Sequence, residues 1–190
     1  MRRKRQQSVL TRDRILNAAI LRFSRFSYEK TGLRDIAKDA DVDVSYVHRC
    51  FGSKEQLFAD ALAATIPLDL LAGTAGDLSG FLAKQIFARD GASAEVGALD
   101  LIIRSLTSPE ASRVLREFIL NSFIDPLAGQ LDRTPNMRIA LIAALLTGVG
   151  IFRNVLRIPS LGEPQGGELE KVISRVIKGL MTKDPALRRV

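Results

Sequence analysis

A short polar break between two amphipathic helical patterns, at residues 31–57, constrains this chain more than any other feature. The first pattern places apolar residues at positions i, i+3, i+4 and i+7 of one helix face: Leu33, Ile36, Ala37 and Ala40. Asp41 interrupts that pattern, and Asp43 is a good N-cap acceptor for a second helix from about Val44. The segment therefore predicts two short helices joined by a tight turn.

The second of these helices leaves an unusual set of side chains outside. With Val47, Cys50 and Phe51 buried, Val44 and Tyr46 lie exposed beside Arg49. A helix lying in a DNA major groove explains this exposure, because apolar groups meet thymine methyls there and polar groups reach base edges or phosphates. The segment is thus predicted to be a helix-turn-helix, at about residues 32–51.

The excess positive charge of the chain falls entirely in the same region. The formal net charge is +7, and residues 1–54 hold 13 Lys and Arg against 6 Asp and Glu, whereas the remainder has 15 of each sign. Net charge bears on association rather than on fold, and a basic segment that coincides with a helix pair favours a polyanionic partner. Double-stranded DNA is the expected partner.

Other classes of protein find little support in the sequence. The longest apolar run, residues 139–152, is shorter than the roughly 20 residues of a membrane helix, and the N-terminal segment lacks the apolar core of a secretory signal. The single cysteine agrees with a reducing compartment. We expect a cytoplasmic protein without membrane contact. No catalytic set, glycine-rich phosphate loop or metal-ligand cluster occurs, so no enzyme, cofactor or metal site is predicted.

The predicted fold class is all-α, with no convincing strand. A first helix is predicted at residues 11–26, capped by Thr11 or Ser8, with five apolar residues on its inner face: Ile15, Ala18, Ala19, Phe23 and Phe26. Ser53 is expected to cap a helix to about Thr65, and later helices are predicted at 78–89, 94–107, 109–131, 135–157 and 168–182. Residues 1–53 would form a three-helix DNA-binding domain, and residues 54–190 a helical ligand-binding and dimerisation domain.

A set of residues spread over positions 11–65 falls at the spacing of a known family: Arg14, Ile15, Leu16, Ala18, Ala19, Phe23, Tyr28, Thr31, Asp35, Ile36, Ala37, Ala40, Val42, Phe51, Ser53, Lys54, Glu55 and Leu57. In these residues the chain resembles the TetR family of transcriptional repressors. The resemblance implies a homodimer whose last two long helices, about 135–157 and 168–182, pair with their copies. It also implies a cavity for a small-molecule inducer.

Some residues depart from the family pattern. Gly32 stands where the family usually has Ser or Thr, Asp41 where Gly makes the turn, and His48 where a frequent Tyr touches phosphate. Asp tolerates left-handed backbone better than most residues, so the turn is expected to form. An imidazole still donates to phosphate, so that contact is expected to persist with some pH sensitivity. Arg22 replaces an apolar residue, and two interpretations stay open: its charged end reaches solvent, or it pairs with Asp35 or another acid.

The predicted DNA-binding residues form two groups. Base or near-base contacts are assigned to Ser45, Tyr46 and Arg49, with Val44 and His48 in support. Phosphate contacts are assigned to residues at helix starts, where free amides attract anions: Thr31, Gly32, Arg34 and Lys54. The alternative is that all of these are ordinary exposed residues of a helical domain.

Two further features allow more than one interpretation. The basic residues Arg2, Arg3, Lys4 and Arg5 form either an arm on the DNA backbone or minor groove, or a solvated tail. Cys50 is expected to be a small packing residue, with a redox switch as the alternative.

The second half of the chain carries apolar residues at helical spacing, most of them expected in the core: Phe81, Ile86, Phe87, Leu101, Ile102, Leu106, Phe118, Phe123 and Phe152. Because these faces hold few polar residues, the inducer is expected to be apolar or amphipathic. Arg104, Asn121 and Phe118 are candidate contacts, with surface or interhelical roles as the alternative.

The predicted function is a ligand-responsive transcriptional repressor that binds a palindromic operator as a homodimer. One alternative is a helical DNA-binding protein without inducer control. Another is a helical small-molecule carrier or enzyme.

Overall fold

The computed structural model describes residues 2–66, 77–87, 97–131 and 136–182, with side chains from Leu10 onward. These residues form ten α-helices and no strand, which confirms the all-α prediction. The helices are α1 Arg2–Arg25, α2 Leu33–Asp39, α3 Val44–Phe51, α4 Lys54–Thr65, α5 Leu78–Gln85, α6 Ala98–Ser105, α7 Pro109–Ile119, α8 Asp125–Gln130, α9 Asn136–Gly150 and α10 Glu168–Met181. Two π-helical turns, Leu120–Ile124 and Ile151–Val155, and a 3₁₀ turn, Pro159–Leu161, complete the described structure.

Two helices begin where their capping residues predicted. Asp43 caps α3 and Ser53 caps α4, whose Gln56 amide donates to the Ser53 hydroxyl at 3.1 Å. The predicted start of the first helix at Thr11 was wrong, since α1 already begins at Arg2. The preceding residues are mainly Arg, Lys and Gln, which are good helix formers, and they include no Gly or Pro to stop the helix.

Pro126 interrupts regular helical hydrogen bonding, as expected. The segment predicted as one helix at 109–131 consists of α7, a π-helical turn at Leu120–Ile124, and α8 with Pro126 in its first turn. Proline has no amide hydrogen to donate, so an α-helical ladder cannot run through it unbroken. The wider turn directly precedes the proline, and the Asp125 amide there donates to the Leu120 carbonyl.

The first of two compact units comprises Met1–Pro67 and Val96–Phe118. Helix α1 packs against α2, α4 and α6. The centre of this unit is an aromatic cluster in which the ring centroids of Phe23, Tyr28 and Phe58 lie 5.0–5.8 Å apart. Helices α4 and α6 therefore pack with the first three helices, and a domain boundary at residues 53/54 stays a prediction.

Some apolar residues of this unit are less buried than predicted. Phe26 follows the last residue of α1, so it leaves the buried stripe and is 46% exposed. Leu106 follows the end of α6 in the same way and is 56% exposed. Cys50 is half-buried, whereas its neighbours Val47 and Phe51 on α3 are buried.

The second unit comprises Leu68–Glu95 and Ile119–Val190. In it, α10 packs on α5 and α9, and α8 packs on α9. Their buried side chains form one core: Leu82, Ala83, Ile86, Phe87, Phe123, Ile124, Leu127, Ile139, Ile142, Ile173 and Ile177. Phe152, predicted to lie in a core, is 52% exposed.

The apolar run predicted at 139–152 belongs to a longer helical stretch. Asn136–Val155 spans 20 residues with a mean hydropathy of 1.5, which is long and apolar enough to cross a membrane by length and composition alone. Helices of soluble proteins meet the same criterion. Here one side of the stretch, including Ile139 and Ile142, is buried in the core of the second unit.

Candidate DNA interface

The turn between α2 and α3 is held by backbone hydrogen bonds around a left-handed aspartate. Asp41 has φ 50°, its amide donates to the Lys38 carbonyl at 3.2 Å, and the Val42 amide donates to the Ala37 carbonyl at 3.0 Å. This pair of bonds is the Schellman arrangement that ends many helices. The expectation that Asp41 would take the left-handed conformation in place of glycine is confirmed.

Asp43 then starts α3 by capping its first turn. Its Oδ1 accepts a hydrogen bond from the Ser45 amide at 2.8 Å. Hydrogen bonds from the Ser45 hydroxyl and amide hold the pKa of Asp43 below its ordinary value, since they favour the charged carboxylate. The cap fixes where α3 begins, and hence which of its residues face outward.

Helix α3 has a clear inner and outer face. Val47 and Phe51, one turn apart, are 0% and 5% exposed. At 100° per residue, Ser45 and Arg49 lie directly opposite this buried pair, and both are exposed. Tyr46 flanks them on one side and His48 on the other. Three of the predicted contact residues, Ser45, His48 and Arg49, are therefore exposed on this outer side, while Tyr46 and Val44 are half-buried.

On this outer side of α3, two residues that were predicted to contact bases, Tyr46 and Arg49, lie against each other. The guanidinium carbon of Arg49 lies over the Tyr46 ring, 4.6 Å from its centroid. The two residues are three positions apart, which brings their side chains together on a helix. A stacked guanidinium keeps its planar edge open to hydrogen-bond acceptors.

The connection from α3 to α4 is a tight turn centred on Gly52. Gly52 has φ 75° and ψ −69°, and the Ser53 amide donates to the Phe51 carbonyl at 2.9 Å. This is a γ-turn of the strained kind, which glycine adopts most readily. The Gly52 carbonyl lies 3.1 Å from Nδ1 of His48. Because a carbonyl only accepts, Nδ1 carries the proton in this bond, and Nε2 is the nitrogen left for an outside partner.

Lys54, predicted as a phosphate contact, has neighbours in the protein as well. Its Nζ lies 3.9 Å from the centroid of the Tyr28 ring, a cation–π contact at the first turn of α4. Burial lowers the pKa of Lys54, and the nearby carboxylates Glu110, Glu29 and Glu55 oppose that shift. The lysine is thus half-buried, with part of its charge balanced inside the first unit.

The three predicted contacts at the start of α2 differ in exposure. Thr31 is fully buried and its hydroxyl donates to the Ser27 carbonyl at 3.1 Å, so the expectation of an outward phosphate contact was wrong for this side chain. The Gly32 amide donates to Oδ2 of Asp35 at 3.2 Å, so this amide is already engaged by the N-terminal cap of α2. Arg34 is exposed. Arg34 alone of the three therefore keeps an available donor group in its side chain.

The remaining candidates lie elsewhere. Arg2, Arg3, Lys4 and Arg5 form the first turn of α1, and their side chains lie outside the described part of the structure. Arg104 and Asn121 are exposed, and Phe118 is buried at the end of the first unit. Arg104 and Phe118 belong to the first unit and Asn121 to the second.

Sequence reasoning missed the contacts of two arginines of α1 that hold the interface helices in place. Arg14 donates to the carbonyls of Ala40 and Asp41 at 2.6 and 3.1 Å, which satisfies the C-terminal end of α2. Arg12 pairs with Asp60 of α4 at 2.6 Å and lies 4.6 Å from the centroid of the Phe51 ring. Both stand on the polar side of α1, and no periodic pattern distinguishes such residues from solvated charges.

Arg22 answers the question left open by its unusual position. Its guanidinium makes two hydrogen bonds to the carboxylate of Asp39 and lies 3.7 Å from Asp35. The hydrogen bond from Arg22 is the main cause that lowers the pKa of Asp39. This arginine therefore clamps α1 to the outer side of α2.

Comparison with known proteins agrees with this geometry. Residues 15–61 match the bacterial regulatory proteins of the tetR family, and residues 77–181 match the tetracyclin repressor-like C-terminal domain. The chain belongs to the TetR family of transcriptional regulators. It is a DNA-binding regulator rather than an enzyme, and its helix-turn-helix lies within the matched N-terminal segment.

Solved structures of other TetR-family regulators share the fold. A TetR-family regulator from Streptomyces coelicolor is 26% identical, with 90% of this chain and 94% of that chain covered and a TM-score of 0.61. NalD, the secondary repressor of the MexAB-OprM multidrug efflux pump in Pseudomonas aeruginosa, is 22% identical, with 92% and 97% covered and a TM-score of 0.64. The fatty acid degradation regulator FadR from Bacillus halodurans is 16% identical, with 90% and 98% covered and a TM-score of 0.59. No curated protein matches the chain.

Proposed function

We propose that this TetR-family regulator is a cytoplasmic, ligand-responsive repressor that binds a palindromic operator as a homodimer. The observation that carries the proposal is the outer face of α3, where Ser45 and Arg49 lie opposite the buried pair Val47 and Phe51. A short helix held from behind and polar in front fits a major groove. The excess positive charge of residues 1–54 adds a sequence-independent attraction to phosphates.

The proposed dimer uses the last two long helices. Both pack on the core of the second unit with one face and expose apolar side chains on another. The exposed residues are Met137, Leu141, Phe152 and Val155 in the helical stretch Asn136–Val155, Leu156 directly after it, and Val172 and Val176 on α10. Apolar surface of this extent on neighbouring helices favours pairing with a second copy.

The proposed ligand is apolar or amphipathic and binds in the second unit. Its core is built almost wholly from aliphatic and aromatic side chains. A ligand that binds one arrangement of the dimer better than another shifts the population toward that arrangement. If the distance between the two α3 helices in the favoured arrangement does not match the operator, the protein is released from DNA.

Binding to the DNA upstream of its own gene tests the DNA-binding part of the proposal. We expect fluorescence anisotropy to show selective binding that weakens with salt, and we expect Tyr46→Ala combined with Arg49→Ala to lose the selectivity. The matched control is Arg116→Ala, which removes an exposed positive charge from α7 and leaves α3 intact. Retained selectivity in the double variant would refute the assigned readout.

A panel of apolar and amphipathic compounds tests the regulatory part. The expected result is that at least one compound raises the melting temperature and releases the protein from the same DNA. A compound that stabilises the protein without release would contradict ligand-controlled repression.

A further inference from the structure

The pair formed by Arg49 and Tyr46 suggests which base the protein recognises. We propose that Arg49 reads a guanine in each operator half-site, and that Tyr46 is a positioning residue that holds the guanidinium in the reading orientation. This inference rests on the proposed DNA-binding function of α3. It adds the identity of the base that is contacted, and it gives separate roles to Arg49, which contacts the base, and Tyr46, which positions Arg49.

The first step of the argument is the direction of the Arg49 side chain. Arg49 lies on the outermost line of α3, opposite the buried Val47 and Phe51. Side chains on a helix lean toward its N-terminus, and the stack over Tyr46, at 4.6 Å from the ring centroid, shows that of Arg49 doing so. The guanidinium is thereby returned about one turn, to the N-terminal half of α3, where recognition helices contact base edges.

The second step is pre-organisation. A free arginine side chain samples many rotamers, and binding must fix them at an entropic cost. The aromatic platform of Tyr46 restricts these rotamers before DNA arrives, while the donors at the guanidinium edge stay accessible. Within the described part of the chain, Arg49 makes no hydrogen bond or ion pair that competes for those donors.

The third step is the chemistry of the base. A guanidinium presents parallel donors and no acceptor. Guanine offers two adjacent acceptors in the major groove, O6 and N7, whereas adenine offers one acceptor beside a donor. Of the four bases, guanine is therefore the one that fits a guanidinium fork through two hydrogen bonds.

The experiment selects duplexes from a random DNA pool with the full-length wild-type protein at a stated salt concentration. We expect a palindromic site with an invariant guanine in each half. Replacing that guanine by 7-deazaguanine, which lacks N7 and keeps O6, should weaken wild-type binding by roughly 2-fold to 12-fold, half the free energy of a bidentate base contact. Arg49→Ala should bind the two duplexes with similar affinity, since alanine presents no donor to N7 or O6.

The role of Tyr46 is tested by a conservative and a non-conservative substitution. Tyr46→Leu should lower the preference for guanine over 7-deazaguanine at that position without changing the salt dependence, and Tyr46→Phe should restore the preference. Arg116→Ala serves as the unchanged control.

The outcomes separate this inference from the function beneath it. Failure of the wild-type protein to enrich any duplex would overturn the proposed function. An enriched site that tolerates 7-deazaguanine, or an Arg49→Ala variant that still prefers guanine, would overturn the guanine contact alone. A Tyr46→Leu variant with undiminished preference would remove Tyr46 from the mechanism.

Discussion

Two residues with positive φ bracket the proposed reading helix. Asp41, at φ 50°, precedes α3, and Gly52, at φ 75°, follows it. Both conformations cost free energy for most side chains. The orientation of α3 thus depends on two single residues as well as on its buried face.

Gly52 offers a clean test of backbone strain. Among the described residues, none has an atom within 4 Å of where a Cβ of residue 52 would lie, so Gly52→Ala introduces strain without a steric clash. We expect it to lower the free energy of unfolding by about 1–3 kcal/mol, measured by urea denaturation.

Gly129→Ala is the matched control, because Gly129 lies in α8 with equally open space and without a positive φ. That variant should be neutral or stabilising by up to about 1 kcal/mol. Equal stability of the Gly52→Ala variant and the wild type would contradict the assigned strain.

At the scale of elements, arginine side chains of α1 hold α2 and α3 in place. Arg14 caps the end of α2, Arg12 reaches α4 and the Phe51 ring of α3, and Arg22 holds Asp39 of α2. Each arginine satisfies a group that the short helices leave unpaired at their ends or outer sides. Helices as short as α2 and α3 depend on such tertiary contacts, since isolated helices of this length are unstable in water.

The Arg22–Asp39 pair predicts a loss of stability in acid. The pKa of Asp39 is lowered in the folded protein, mainly by the hydrogen bond from Arg22. Its contribution is complete above the unfolded pKa of about 3.9 and disappears as pH falls through the lower folded value. Because the Asp39 side chain is 41% exposed and solvent screens the pair, we expect Asp39→Asn to cost less than about 1 kcal/mol at pH 7 and less at pH 2 than at pH 7. Urea unfolding at both pH values measures this, with Asp13→Asn, an exposed carboxylate of α1, as the control. A cost that is unchanged at pH 2 would argue against the ion pair.

At the scale of the whole molecule, each unit has its own core. The first holds the proposed DNA-reading surface, and the second exposes the apolar faces of α9 and α10. In the proposed complex a single α3 contacts one half-site, so the proposal makes affinity for a palindrome depend on joining two copies.

Disrupting the apolar faces should therefore weaken operator binding from a distance. We expect Leu141→Glu with Val176→Glu, at positions 47% and 46% exposed, to give a monomer whose operator affinity is lower by at least about 100-fold. Sedimentation and anisotropy measure the two effects. Leu106→Glu, at a leucine 56% exposed in the first unit, controls for the added charge. A double variant that stays dimeric would place the interface elsewhere.

The sequence by itself determined the features set by short-range physics. The capping residues Asp43 and Ser53 fixed where α3 and α4 begin, and apolar periodicity correctly assigned Val47 and Phe51 to the buried face. These follow from hydrogen bonds and spacings within a few residues of each other. The family followed too, because its motif combines such local signals.

Only the tertiary structure decided which polar residues of the interface remain available. Thr31 turned out to be buried, Lys54 lies on the Tyr28 ring, and Arg22 pairs with Asp39 rather than chiefly with Asp35. Phe26 left the core because α1 ends one residue before it. A polar side chain carries no periodic signal of its partner, and that partner is fixed only when helices distant in sequence pack together and bring charges and ring faces within a few ångströms.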